Sequence, residues 1–409
     1  MFPMQSYLEI PFHRPSIGQE EIDEVTSTLK SGWLTTGPRT AQFEKEFRSY
    51  INAPHALAVN SCTAGLHLGL ASLDIGAGAE VITTPITFCA TVNVILHVGA
   101  TPVLADIGPD GNIDPSCIAA RITSRTRAII PVHLAGLPCD MEAIWELARR
   151  HRLRVVEDCA HAAGAQYRGW PIGAGRPEIG AHSDVCAFSF YATKNLTTGE
   201  GGMVTTHDDN LIDVMRMLCL HGISRDAWNR YSDRGNWFYQ VLAAGFKYNL
   251  SDIQAAIGLH QLRKLDGFTE RRKRLARLYD ELLGDCEELE LPPDRSDCRH
   301  AWHLYMLRLN LDKLEIDRHE FITTLRQRGI GTSVHFIPIP LQPYFSRFLE
   351  LHENDCPRAL ELYPRLISLP LYPAISEAEV EYVAAEVRDI ARKSRRRRLL
   401  IAGAAVGEN

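Results

Sequence analysis

Between residues 55 and 206 the chain alternates short apolar runs with helix-patterned segments, and this alternation restricts its fold more than any other feature. The runs are "HALAVN", "EVITTPITF", "TPVLADI", "RAIIPVHLAG", "RVVEDCA", "VCAFSFY" and "GMVTT". Each is short, rich in β-branched or aromatic residues and bounded by turn formers, the signature of a buried strand. Helical periodicity fills the gaps. In "DMEAIWELARRH", Asp140 is placed to cap while Met141, Ile144 and Leu147 or Ala148 share one face. Strands that alternate with helices imply a mostly parallel sheet covered on both sides. In such sheets ligands bind beyond the carboxyl ends of the strands.

The texture changes near residue 250. "SDIQAAIGLHQLRKL" opens with a capping box, Ser251 with Gln254, and predicts a long amphipathic helix. A second, charged helix is expected over "TERRKRLARLYDELL", then a loop containing Pro292 and Pro293. Strands at "HLYMLRLN" and "GTSVHF" and helices at "RHEFITTLRQRG" and "SEAEVEYVAAEVRDIARK" complete the pattern. The expected organisation is an N-terminal segment and large α/β domain over 1–250, a helical connection and smaller α+β domain over 251–392, and a basic, disordered tail over 393–409. The formal charge of -6 argues against a nucleic-acid binder. No apolar run approaches the roughly 18 residues of a membrane span. The N-terminus lacks a secretory pattern, and ten scattered cysteines without a C-x-x-C pair suit reduced thiols. A cytoplasmic protein without a metal site is the expectation.

Chemistry concentrates at the strand ends. "VCAFSFYATKNLTTGEGGMVTT" places Lys194 just past an aromatic-rich strand, and glycines 199, 201 and 202 let the backbone turn and approach a neighbour closely. A lysine that loses solvation there has a lowered pKa and becomes a nucleophilic amine. Asp158 ends the strand of "RVVEDCA"; it serves either as a cap or ion-pair partner, or as the partner of a protonated pyridine nitrogen. In "AVNSCTAGLHLGL" a strand passes into a helix whose first N–H groups, with the hydroxyls of Ser61 and Thr63, suit a phosphate. Ser189 offers another hydroxyl. Phe88 either packs in the core or stacks on a planar ring. His161 either caps a helix or hydrogen-bonds a phenolic oxygen.

Taken in order, "SGWLTTGPRTAQFEKEF", "NSCTAGLHLGLASL", "EVITTPITFCATVNVILHVGATPVLADI", "IIPVHLAGLPCDMEAI", "VVEDCAHAAGAQYRG", "FSFYATKNLTTGEGGM", "LCLHGIS", "GFKYNLSDIQAAIGLHQL", "HAWHLYMLRL", "GIGTSVHF" and "ISLPLYP" resemble the DegT/DnrJ/EryC1/StrS family of sugar aminotransferases. The resemblance runs from about residue 10 to 390. It implies the aspartate aminotransferase-like fold (fold type I), pyridoxal 5′-phosphate as cofactor, and a homodimer with active sites at the subunit boundary. It assigns Lys194 the Schiff base, Asp158 the pyridine nitrogen, His161 the phenolic oxygen and Phe88 the stacking face. Cys62, Thr63 and Ser189 fall at phosphate-binding positions, with Asn249 reaching the phosphate of the other subunit. Cys62 stands where glycine is frequent, and Pro340 where a histidine is frequent.

The implied reaction moves an amino group from L-glutamate to a keto group, at C4, of a nucleotide-linked sugar for amino-sugar biosynthesis. His221, Arg225, Lys247 and His335 are the candidate substrate contacts. The alternatives are 3-keto specificity or a non-catalytic regulatory protein on the same fold. A sugar dehydratase of this family would carry histidine in place of Lys194, and the glycines of "GEGG" lack the G-x-G-x-x-G spacing of a nicotinamide enzyme.

Overall fold

The computed structural model describes residues 9–224, 238–348 and 353–396. A seven-stranded sheet organises the first half, in the spatial order His55–Val59, Gly202–Thr206, Val185–Ser189, Arg154–Asp158, Thr126–Ile130, Glu80–Thr83, Thr101–Leu104. Only Gly202–Thr206 runs against its neighbours; the other strands share one direction. The mostly parallel sheet expected from the alternation is present, and its strands end where the turn residues begin.

Two apolar layers enclose it. On one face Leu66, Leu70, Val94, Ile95, Leu211 and Met215, from the helices Cys62–Ser72, Ala90–His97 and Asp209–Cys219, pack with Val156, Val185 and Val204. On the other, Phe43 and Phe47 of helix Pro38–Ile51 meet Phe188 and Phe190 at ring separations of 5.1–5.5 Å. That aromatic cluster fixes the strand leading to Lys194. Helix Cys62–Ser72 rides unusually close to the sheet because Gly65 faces it: a Cβ there would lie 2.9 Å from Val204. Close packing brings the helix N-terminus level with the strand ends.

Asp140 caps helix Met141–His151 through the Ala143 N–H, and Ser251 and Gln254 form the capping box. The two helices expected beyond residue 250 are one, Asp252–Leu283, 32 residues long. Gly267 interrupts its sequence without breaking it, because tertiary packing at both ends outweighs the cost of one interior glycine. Ala255, Leu259, Leu262 and Leu265 pack into the sheet's core, whereas Leu275, Ala276, Tyr279 and Leu283 enter a second core. The latter surrounds a three-stranded antiparallel sheet, Leu289–Glu290, Tyr305–Leu309 and Leu366–Leu369, with helices Arg318–Gln327 and Glu377–Lys393. The strand expected at "GTSVHF" is absent: only Ser333 bridges to Ser368, and the chain then turns to carry His335 and Phe336 into a cavity. No helix among the described residues is long and apolar enough to cross a membrane.

Asp252 joins the long helix to the beginning of the chain. Its buried carboxylate accepts hydrogen bonds from the N–H groups of Gly37, Arg39 and Thr40 and from the Thr40 hydroxyl, at 2.7–3.1 Å. It caps the helix Pro38–Ile51 across more than 200 residues of sequence. Asp252→Ala leaves those donors without their acceptor and is expected to cost about 3 kcal/mol, read from the urea midpoint; a loss below about 1 kcal/mol would show that water replaces the carboxylate.

Candidate active site

The parallel strands end at a cavity of about 510 Å³, within the range of small-molecule sites. Lys194, Asp158, His161, Cys62, Thr63, Ser189, Phe88 and His335 all line it. Strand register brings them together. Asp158 lies beside Ala187, two residues before Ser189, and Ser189 pairs with Gly202.

Lys194 follows the Val185–Ser189 strand in a tight turn closed by its N–H to the Tyr191 carbonyl at 2.9 Å. The following Asn195 clamps this turn, its amide nitrogen donating to the carbonyl of Ala301 at 2.8 Å. Lys194 is only partly accessible, and enough protein surrounds its amine to lower its pKa to about 8, against an opposing pull from Asp158 and Cys62. Its Nζ has no hydrogen-bond acceptor among the described residues. The glycine turn does what its composition implies. Gly199 adopts φ 81°, and a Cβ on Gly202 would lie 2.7–2.8 Å from the backbone of Ser61 and Cys62. What it approaches is the N-terminus of helix Cys62–Ser72.

At that N-terminus the Ser61 hydroxyl accepts from the Ala64 N–H at 3.1 Å, so Ser61 acts as the helix cap. The N–H groups of Cys62 and Thr63 precede the first intrahelical bonds and have no acceptor among the described residues, the arrangement that binds anions. Ser189, nearly buried, accepts from the Tyr191 N–H and keeps its own hydrogen to donate.

Asp158 is buried and forms no ion pair among the described residues. Burial pushes its carboxyl above the ordinary range, opposed first by a hydrogen bond from Thr91. Its neighbour Glu157 faces the opposite side of the sheet, as alternation demands. There Glu157 accepts from His133 Nε2 at 2.8 Å and from the Ser183 hydroxyl. Ligand atoms of His133, Glu157 and Cys159 lie within 4.8 Å of one another, but the Cys139 N–H occupies His133 Nδ1, so the cluster closes on itself through hydrogen bonds.

The histidines of the cavity are neutral. Burial holds His161 and His303 well below the usual imidazole range and lowers His13 and His335 to about 4, with the positive charge of Lys194 acting in the same direction. Their tautomers follow from their partners. His161 Nδ1 accepts the Ala135 N–H at 3.2 Å, which leaves the proton on Nε2. The Asn195 amide nitrogen serves carbonyls, so its oxygen accepts from His303 Nδ1 at 3.1 Å. His13 Nε2 donates to the Ala192 carbonyl at 3.1 Å. Phe12, Phe88 and Phe336 add aromatic surface, with Phe88 largely exposed.

Asn249, His221 and Lys247 do not line this cavity. Asn249 donates to Thr36 at 2.8 Å, Lys247 bridges to Leu220, and both Lys247 and His221 are exposed. Arg225 lies outside the described residues. Pro340 is buried in a short turn of helix near Ile339 and is not part of the cavity wall. Sequence reasoning missed His13, His303, Thr87 and Thr91. His303 was within reach, as the second histidine of "HAWHLYMLRL", and Thr91 was three residues past Phe88; only the fold shows where they point.

A nucleophilic amine, a carboxylate without a counter-cation and unsatisfied N–H groups at a helix end meet in one cavity, and these fit the aldehyde, ring nitrogen and phosphate of pyridoxal 5′-phosphate. The class is that of pyridoxal-phosphate-dependent enzymes of fold type I. Residues 15–388 match the DegT/DnrJ/EryC1/StrS aminotransferase family, and the chain belongs to that family. It is 50% identical over 383 residues to the spore coat polysaccharide biosynthesis protein SpsC of Bacillus subtilis, covering 93% of this chain and 97% of that one. Among solved structures it resembles the PLP form of the putative sugar aminotransferase Spr1654 from Streptococcus pneumoniae, with TM-score 0.87, 33% identity and coverage of 95% and 100% of the two chains. It also resembles PseC of Helicobacter pylori, an aminotransferase involved in the biosynthesis of pseudoaminic acid, with TM-score 0.86, 30% identity and coverage of 94% and 100%. The chain is a pyridoxal-phosphate-dependent aminotransferase.

Lys194 gives a pH prediction of definite sign. Below its lowered pKa the amine is protonated and cannot attack, so capture of pyridoxal phosphate by the apoenzyme should accelerate with pH and level off above about 8. Stopped-flow absorbance measures it; a midpoint near the usual lysine value of 10.5 would mean that burial does not tune this amine.

Proposed function

We propose that the protein transfers an amino group from L-glutamate to the C4 keto group of a nucleotide-linked sugar, in amino-sugar biosynthesis, as a cytoplasmic homodimer. The observation that carries the catalytic part is the shared cavity of Lys194 and Asp158, an amine and an acid of opposite shifts at the ends of adjoining parallel segments. The sugar class follows from relatives that bear the names of sugar aminotransferases or polysaccharide biosynthesis proteins. The neutral His13 and His335 and the aromatic Phe12, Phe88 and Phe336 suit an uncharged hydroxylated ring.

When bound, the cofactor supplies an electrophilic carbon and a ring that accepts electrons. Lys194 would hold the cofactor through its amine, and its Nζ, when free, would be the base that takes the proton from the donor's α-carbon. Asp158 would keep a proton on the ring nitrogen through its negative charge. His161 would offer its Nε2 proton to the phenolic oxygen, since its other nitrogen is engaged. Cys62 and Thr63 offer backbone N–H groups, and Ser189 a hydroxyl, to the phosphate.

The homodimer is part of this proposal. Asn249, Lys247 and His221 do not line their own cavity, and Phe238, Tyr239, Val241 and Leu242, a few residues before Lys247 in the chain, are exposed. An exposed apolar patch of this kind marks an interface, and a partner seated there would receive Asn249 toward its phosphate.

The test is visible absorbance of the purified protein with pyridoxal phosphate, before and after L-glutamate, followed by a screen of nucleotide-linked 4-keto and 3-keto sugars. The expected outcome is a yellow band that bleaches with glutamate and returns with a 4-keto sugar. Return only with a 3-keto sugar would move the site of amination, and no response to any donor would favour the non-catalytic alternative. Lys194→Ala should lower turnover at least about a thousandfold, since it removes both nucleophile and proton carrier.

A further inference from the structure

Asp158 must remain ionised in a buried site to hold a protonated ring nitrogen, and no cation is close enough among the described residues to pair with it directly. Its first support is a hydroxyl. Thr91, fully buried in the first turn of helix Ala90–His97, places Oγ1 2.8 Å from Asp158 Oδ2. Thr87 Oγ1 lies 2.7 Å from the same Thr91 oxygen and lines the cavity. A carboxylate only accepts, so Thr91 donates to Asp158, and Thr87 must then donate to Thr91. The other carboxylate oxygen accepts the Ala160 N–H at 3.1 Å. The Cys62 thiol lies 3.9 Å from that oxygen but nearer, at 3.3 Å, to the Ala187 carbonyl.

We infer that Thr91 is a positioning residue for the cofactor's ring nitrogen, acting through Asp158 as the middle member of a directed chain from Thr87 to Thr91 to Asp158. The chain fixes the rotation of the carboxylate and favours its charged form. Of the contributions that oppose burial at Asp158, the hydrogen bond from Thr91 is the largest, ahead of the Ala160 N–H and the charge of Lys194. Hydrogen bonds to a charged acceptor are stronger than those between neutral groups, and a dehydrated setting magnifies their loss. Thr91 does not touch the reacting atoms. Its role depends on the cofactor alone and holds whatever sugar or other acceptor receives the amine.

The experiment compares wild type, Thr91→Val and Thr91→Ser, each loaded with pyridoxal phosphate carrying 15N in the ring. Valine preserves shape and deletes the donor; serine restores it. The expected result is a 15N resonance displaced toward unprotonated pyridine in Thr91→Val and returned in Thr91→Ser. The glutamate half-reaction should slow by about tenfold or more in the valine variant alone, the loss of one charge-assisted hydrogen bond. Thr87→Val, which removes the outer member, should shift the resonance in the same direction by less and serves if Thr91→Val does not fold. An unmoved resonance in the valine variants, or a serine variant as impaired as the valine one, would overturn the inference. A wild type without a protonated ring nitrogen would instead overturn the role of Asp158 itself.

Discussion

Two groups of opposite charge, a buried carboxylate and a partly accessible amine, line one cavity without meeting each other, and they define this molecule. Water is largely withdrawn from the Lys194 amine and the Asp158 carboxylate, and no ion pair joins them among the described residues. Each is therefore driven toward its neutral form, the lysine to about 8 and the aspartate upward. Burying such groups unpaired is costly. The surrounding structure holds them apart. The Phe43, Phe47, Phe188 and Phe190 cluster fixes one strand, and the Asp158 N–H continues the parallel ladder to the Pro131 carbonyl at 2.9 Å. A cofactor that presents an aldehyde to one group and a basic nitrogen to the other satisfies both.

Around that pair, hydrogen bonds set the direction of each polar atom before any ligand arrives. The backbone of Ala135 selects the tautomer of His161, and Asn195 selects that of His303 while anchoring the turn that carries Lys194. Small residues along helix Cys62–Ser72 bring its unsatisfied N–H groups to the strand ends. Preorganised dipoles of this kind need no rearrangement as charge develops, which is how a protein tunes a bound cofactor.

The sequence made the sheet and the central residues legible because both depend on local signals. Asp158 ends its strand and Lys194 follows the end of Val185–Ser189 in a turn, whereas Phe88 lies in the irregular segment beyond Glu80–Thr83; parallel topology gathers these strand ends into one crevice. Thr91, His13 and His303 carry no local mark; their roles arise from contacts between distant segments. Asp252 is the clearest example: it follows the Ser251 cap as one more residue of a helical pattern, and its carboxylate caps another helix more than 200 residues away. The single helix Asp252–Leu283 escaped notice because two cores, not propensity, hold it together. "GTSVHF" has the composition of a strand but meets only Ile10 at Gly331 and Ser368 at Ser333, and His335 and Phe336 are drawn into the cavity. Asn249, Lys247 and His221 do not line the cavity of their own chain, and no pattern within one chain states what a second copy would bring them near.

The most direct test of this account is chemical trapping of the holoenzyme. Reduction with borohydride followed by proteolysis and mass spectrometry fixes the cofactor to the residue that holds it. A single pyridoxyl phosphate adduct is expected on the peptide containing Lys194, lost in Lys194→Ala. An adduct on another lysine, or none in a protein that retains the yellow band, would contradict it.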